Sequence, residues 1–194
     1  MTKSTFEELH IVVCALDKLI DNAISRLAAV EAYETVAHEH EIPATSAEFL
    51  EASYVALKDG VTIAVASIFE RDKTCGKTNC SLGEVKNLLG NDTAFRLSDT
   101  NRKELANSIE CLTNKYKNSG IDDLRKKTKA HYDLDEFFIR EQEEGSVDDL
   151  KNLLFGARKI MCDFFNKWLD ITVTWENYDN RVPRYKQALL ACIS

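Results

Sequence analysis

The 194-residue chain has little glycine and almost no proline, with 7 and 2 residues respectively. All-β folds with many tight turns need more of both, so the shortage favours helices joined by few loops. The chain also lacks a run of about 18 apolar residues, which a membrane-spanning helix requires, and it lacks the basic start and apolar run of a signal peptide. We therefore expect a cytoplasmic protein without a membrane segment, whose six cysteines are reduced.

An excess of positive charge is absent as well, because the formal net charge is −7. Proteins that coat nucleic acid non-specifically need lysine and arginine to replace the counterions of the phosphates, so this class is disfavoured. A local basic site is still compatible with the composition, since electrostatic potential depends on patches of charge. The length and the hydrophobic fraction of 44% suffice for a well-packed core. We predict a single helical domain over residues 1–194.

Apolar residues recur at three- and four-residue spacing along most of the chain, which predicts an all-α fold. The predicted helices cover 5–39, 47–70, 81–90, 103–117, 121–130 and 146–170, with a closing helix after Pro183. Three of them begin at a Ser/Thr-x-x-Glu capping box, at Ser4, Thr45 and Ser81. Residues 71–80 are predicted to form a polar loop, and 171–175 a frayed helix end or an extended linker.

The segment 124–135, LRKKTKAHYDLD, carries the residues with the clearest catalytic chemistry. Arg125 and His131 are separated by five residues, and Lys126 and Lys129 lie between them. Histidine suits proton transfer because its unperturbed pKa of about 6.5 lies near neutral pH. Arginine can hydrogen-bond two phosphate oxygens at once and stays protonated. Lysines attract the negatively charged RNA backbone. The pattern is suited to metal-independent cleavage of RNA.

The spacing of Arg125 and His131 limits how they can act together. Six positions along a regular helix rotate the side chain by about 240° and raise it by about 9 Å, so the two do not share a face. Either the helix ends before His131, or a second copy of the chain supplies the partner groups across a two-fold axis. The alternative is structural: the basic residues form a solvated helix face paired with nearby aspartates, and His131 is an ordinary surface histidine.

Residues 124–133, LRKKTKAHYD, resemble the arginine-x(4–6)-histidine motif of HEPN domains. Their sequence pattern, Arg-x-Lys-x-x-Ala-His-x-Asp, is most similar to that of HEPN proteins of the bacterial abortive-infection U type. The layout before the motif is also similar: two long helices, the sequence SIFER at 67–71, a polar loop, and a short helix that starts at 81–82 and contains Leu88-Leu89. The resemblance covers roughly residues 5–170. Only the motif itself is specific.

The resemblance implies a bundle built on two antiparallel helical hairpins, usually dimeric, with a metal-independent endoribonuclease site and no cofactor. It implies that Arg125 stabilises the phosphorane, that His131 transfers a proton, and that the RNA products end in 2′,3′-cyclic phosphate. It also implies a role in antiviral defence (abortive infection) or in a toxin–antitoxin pair, with an antitoxin protein as partner. Where many family nucleases have Asn, Asp or His after the arginine, this chain has Lys126. Asp133 is interpreted either as orienting His131 or as a helix cap.

Two hypotheses therefore stay open from the sequence. The first is a homodimeric RNase; the second is a helical bundle without turnover that binds a protein or RNA partner, which the acidic net charge and Lys126 favour. A zinc half-site at Cys75-x4-Cys80 lacks a second cysteine pair of matching spacing. A metal site on Glu31, Glu34 and His38 lacks the paired Glu-x-x-His motifs of di-iron bundles. We expect no metal ion at either place.

Overall fold

The computed structural model describes residues 5–70, 73–74, 77–90, 97–123, 147–170 and 172–193. These residues form an all-α bundle, as the sequence predicts. Its helices are α1 (Thr5–Glu39), α2 (Ala44–Ile68), α3 (Leu82–Gly90), α4 (Asp99–Asn118), α5 (Val147–Leu169) and α6 (Tyr178–Ile193). Between α2 and α3, β1 (Lys73–Thr74) and β2 (Lys77–Thr78) pair as a two-residue antiparallel ladder. The prediction that 71–80 is entirely loop is therefore wrong at these four residues.

Helix α1 is the central element, because it packs against α2, α3, α5 and α6. Its apolar residues follow the helical period, so they line the faces turned towards these neighbours. The fully buried side chains of α1 include Leu9, Val13, Leu16, Ile20, Ile24 and Leu27. The predicted bounds of this helix, 5–39, are confirmed.

Two pairs of antiparallel helices lie in the described part of the bundle. In the α1–α2 hairpin, the rings of Tyr33 and Tyr54 stack with their centroids 4.7 Å apart. Helices α4 and α5 are also antiparallel, since Lys167 near the end of α5 pairs with Glu104 near the start of α4. The expectation of an antiparallel helical hairpin is confirmed for α1–α2, whereas the connection from α4 to α5 includes 124–146, which lie outside the described residues. Helix α6 runs in the same direction as α1, since Arg181 contacts Asp21 and the later Lys186 contacts Glu39.

Helix α2 begins at Ala44, earlier than the predicted start at 47, and the capping box predicted at Thr45 is wrong. Pro43 occupies the cap position with φ −57°, and no side chain caps the helix. The Pro43 carbonyl accepts hydrogen bonds from the N–H groups of Ser46 and Ala47, both at 3.0 Å. Proline starts this helix because its fixed φ already suits the first turn.

Helix α4 begins at Asp99, before the predicted start at 103. The Ser98 hydroxyl caps it by accepting a hydrogen bond from the Asn101 N–H at 3.2 Å. The first turn contains no apolar residue, so hydrophobic periodicity cannot reveal it. The predicted cap of α3 is confirmed, because the Glu84 N–H donates to the Ser81 hydroxyl at 3.2 Å.

Helix α6 begins at Tyr178, so the prediction that it starts after Pro183 is wrong. Pro183 lies inside the helix. The Asn177 side chain supports the first turn by accepting a hydrogen bond from the Asp179 N–H at 3.2 Å. Residues 172–177, which precede α6, have no regular secondary structure, in agreement with the predicted linker. None of the described helices is long and apolar enough to cross a membrane.

Candidate functional site

The predicted site residues Arg125, Lys126, Lys129, His131 and Asp133 all lie outside the described residues. Their mutual geometry therefore stays a prediction, as does the helix predicted over 121–130 beyond its first turn, 121–123, which is helical. The structure describes the chain up to Asp123 and again from Val147.

The chain enters the motif segment from a fixed position in the core. Ile121 is fully buried, and the Tyr116 hydroxyl donates to Asp122 Oδ1 at 3.3 Å. The Tyr116 ring in turn stacks on Phe69 of the α2 end, with centroids 4.8 Å apart. The described chain therefore reaches Asp123 from a buried part of the bundle.

A groove of about 530 Å³ opens between α4 and α5. The last turns of α4, the residue that follows it and the first turns of α5 line it together. The lining residues are Leu112, Lys115, Asn118, Ser119, Asp149, Asn152 and Leu153. We call this feature the α4–α5 groove.

The two helices come close together beside the groove because α5 has a glycine there. A Cβ atom on Gly156 would lie 2.6 Å from Leu112 Cδ1 and 3.0 Å from Leu112 Cδ2, which is closer than ordinary contact. Leu112 is buried and forms part of the groove lining. The glycine therefore sets the spacing of α4 and α5 at the base of the groove.

A second polar feature joins α1, α6 and the linker before α6, and we call it the Arg181 cluster. The Arg181 side chain is 5% exposed, and its guanidinium contacts Asp21 Oδ1 at 2.7 Å and Glu176 Oε2 at 3.2 Å. It also donates to the Ser25 hydroxyl and to the Asp21 carbonyl. Exposed Arg184 pairs with the same Glu176 at 2.9 Å. The cluster therefore ties α6 and the linker before it to α1.

The Arg181 cluster borders a cleft of about 420 Å³ whose lining includes Asp17, Asp21 and Trp175. Burial and then the neighbouring Asp21 charge raise the pKa of Asp17, while Arg158 partly opposes the rise. The Arg158 guanidinium lies over the Trp175 ring, 4.5 Å from its centroid. Burial also raises the pKa of the Cys162 thiol. Arg158, Arg181 and Arg184 are engaged by carboxylates or aromatic rings, which indicates a structural role for these three side chains.

The glutamates considered for a metal site in α1 are engaged in pairs. Glu31 accepts from Lys151 at 2.6 Å, and Glu34 accepts from the Tyr54 hydroxyl at 2.8 Å. The Lys151 ammonium lies 4.9 Å from the centroid of the Tyr178 ring. Burial raises the pKa of Tyr178, and the nearby Glu31 carboxylate adds to the rise. These contacts link α1, α5 and α6 separately from the Arg181 cluster.

No group of three His, Cys, Asp or Glu side chains within the described ranges is placed to hold a metal ion. Cys80 is a free, exposed thiol. The zinc hypothesis also needs Cys75, which lies outside the described residues. Several aromatic side chains belong to the core: Phe164 is buried, and Phe165, Trp168 and Trp175 pack against it.

Sequence reasoning did not find the α4–α5 groove or the Arg181 cluster. The Asn118–Gly120 stretch is recognisable only as a helix break, and nothing in it indicates that Asn118 lines a groove together with Asn152. Comparisons of the chain with protein-family models, with curated proteins and with solved structures found no match. A functional interpretation therefore depends on the residues of the chain themselves.

Proposed function

We propose that this chain is a HEPN-like, homodimeric endoribonuclease that works in the bacterial cytoplasm without a metal ion, in antiviral defence or a toxin–antitoxin pair. The observation that carries the proposal is the sequence LRKKTKAHYD at 124–133. Two further observations support it. The described helices form an all-α bundle with antiparallel helix pairs, and the motif follows directly on the buried Ile121.

The proposed chemistry is attack of the RNA 2′-hydroxyl on the adjacent phosphorus. His131 accepts the 2′-hydroxyl proton, the new O2′–P bond forms, and the bond from phosphorus to the 5′-oxygen breaks. The leaving 5′-oxygen takes a proton, which gives one strand with a 2′,3′-cyclic phosphate and another with a 5′-hydroxyl. Arg125 stabilises the charge on the phosphorane. In a two-fold dimer, one His131 acts as base and the other as acid.

The remaining motif residues support these two. Lys126 and Lys129 attract the phosphates that flank the cleaved bond. Asp133 orients the His131 ring and stabilises its protonated form, as a carboxylate beside an imidazolium does. An antitoxin protein that covers this basic segment would complete the system.

The second candidate function is a helical bundle that has kept the motif but lost turnover and binds a protein or RNA partner. The net charge of −7 and the lysine at position 126 favour it. The two functions differ in one measurable property, which is the production of new RNA ends.

The test compares wild type with Arg125→Ala and His131→Ala, each induced in bacteria and each purified for cleavage assays in EDTA. His38→Ala is the matched control, because His38 is an exposed histidine of α1 and lies outside the motif. We expect growth arrest and new 2′,3′-cyclic phosphate ends from wild type and His38→Ala, and neither from the two motif variants. Equal, harmless behaviour of all four proteins, with no cleavage in vitro, would favour the binding function.

A further inference from the structure

We infer that His10 and Cys14 of α1 form a binding site for a transition-metal ion that accepts nitrogen and sulfur ligands, with Zn²⁺ as the representative ion. The Cys14 Sγ atom lies 3.8 Å from the His10 Nε2 atom. Both residues lie outside the predicted catalytic motif, and the inference does not rest on the proposed function.

The helical sequence of α1 brings the two side chains together at the edge of the core. His10 and Cys14 are four residues apart, so they are neighbours on the helix surface, about 6 Å apart along its axis. Each directly follows a fully buried residue, Leu9 or Val13, and is rotated from it by about 100°. His10 is therefore exposed and Cys14 half-buried. Packing holds the backbone beneath the pair, while an ion can reach it from solvent.

The separation of the two ligand atoms is close to what a tetrahedral metal ion requires. Zinc binds a thiolate at about 2.3 Å and an imidazole nitrogen at about 2.0–2.1 Å. At a tetrahedral angle these two bonds place sulfur and nitrogen about 3.5 Å apart. The 3.8 Å between Cys14 Sγ and His10 Nε2 exceeds this distance only slightly. A small rotation of the side chains therefore suffices for both atoms to bind one ion.

The chemistry of the pair selects the kind of metal. Thiolate and imidazole are preferred ligands of zinc, whereas magnesium and calcium prefer oxygen. On binding, the Cys14 thiol releases its proton to solvent as the metal–sulfur bond forms. His10 donates the lone pair of Nε2, in the neutral tautomer whose proton is on Nδ1.

The pair supplies two of the four ligands of a tetrahedral ion. Among the described residues, no third His, Cys, Asp or Glu side chain is placed to complete a site. Water takes the remaining two positions. Structural zinc sites use four protein ligands, so we expect this site to be weaker and reversible, with a Kd on the order of 10 μM.

The experiment measures how fast iodoacetamide alkylates each cysteine of the folded, reduced protein, read peptide by peptide by mass spectrometry. A thiolate that binds a metal ion is shielded from the reagent. Zn²⁺ is added at about 100 μM, ten times the expected Kd, and Mg²⁺ and EDTA serve for comparison. Cys111 and Cys192 are internal controls, because both are exposed cysteines of helices and neither has a histidine three or four positions away.

We expect Zn²⁺ to slow the alkylation of Cys14 about tenfold, because an ion at ten times its Kd occupies about nine-tenths of the sites. Cys111 and Cys192 should stay within about twofold. Mg²⁺ should have no effect, and EDTA should restore the rate. In His10→Gln, which replaces the imidazole by an amide, Cys14 should still react but lose the protection. His38→Gln, which changes another exposed histidine of α1, should keep it.

The inference is overturned if Zn²⁺ slows the three cysteines alike, if His10→Gln keeps the protection, or if Zn²⁺ leaves Cys14 unaffected. In the last case the contact is only a weak hydrogen bond between the thiol and the imidazole. The cleavage assay of the proposed function is run in EDTA. Failure of that assay therefore leaves the metal site in place, and failure of the metal site leaves the nuclease in place.

Discussion

Replacing Arg181 with alanine should destabilise the fold substantially, because its buried guanidinium joins α6 to α1. Removing one partner of a fully buried ion pair costs about 3–5 kcal/mol. The Arg181 side chain is 5% exposed, but Asp21 and Glu176 are each 41% exposed and can regain water. We therefore expect a smaller loss, about 2–3 kcal/mol. For a chain of this size that corresponds to a fall in Tm of about 4–12 °C, measured by circular dichroism at 222 nm.

Arg184→Ala is the matched control, because Arg184 lies one turn further along α6 and contacts the same Glu176 carboxylate. Its side chain is 59% exposed, so the loss should be below about 0.5 kcal/mol, or about 2 °C in Tm. Arg181→Lys keeps the charge but loses the planar guanidinium, so its fall in Tm should lie between those of the two alanine variants. If Arg181→Ala and Arg184→Ala melted within about 2 °C of each other, the argument from burial would be refuted.

Two further pairs of variants test other contacts by thermal unfolding. Gly156→Ala should lower Tm by about 2–4 °C, because overpacking against buried Leu112 exceeds the helix-propensity gain by about 1 kcal/mol. Gly90→Ala, whose Cβ would meet nothing within 4 Å, should not lower it, and equal losses in both would refute the packing argument. The raised pKa of Asp17 favours its neutral form in the folded state, so its stabilising contribution is present at low pH and lost as the pH rises. Asp17→Asn should thus raise Tm at pH 7, and this gain should shrink towards pH 4. Asp21→Asn should lower Tm at pH 7. A lower Tm in both variants would show that the charge of Asp17 stabilises the fold.

The spacing of apolar residues was sufficient to predict most helices, because a helix that buries one face needs apolar residues every three or four positions. In α4 the residues that keep this spacing, Leu105, Ile109, Leu112 and Tyr116, are all buried. Helix starts were less predictable, since they depend on which of several polar residues satisfies the free N–H groups. At α4 that residue is Ser98, in a polar stretch with several alternative caps.

The polar contacts were not predictable from the sequence for a different reason. Arg181 and Asp21 are 160 residues apart in the chain. Neither residue lies in a local sequence pattern from which its partner could be identified. The α4–α5 groove likewise needs two helices to meet. The proposed catalytic residues Arg125 and His131 are identified only by their local motif, so their role stays a prediction.

The direction of α6 along α1 has a consequence for the order in which the chain assembles. Tyr54 and Glu34 in the α1–α2 hairpin are 20 residues apart, whereas the Arg181–Asp21 contact closes a loop eight times as long in sequence. Local contacts form at a smaller entropic cost and therefore sooner. We expect the α1–α2 hairpin to form early and α6 to dock late, so that the α6-facing surface of α1 stays open to water, and to other chains, during most of folding.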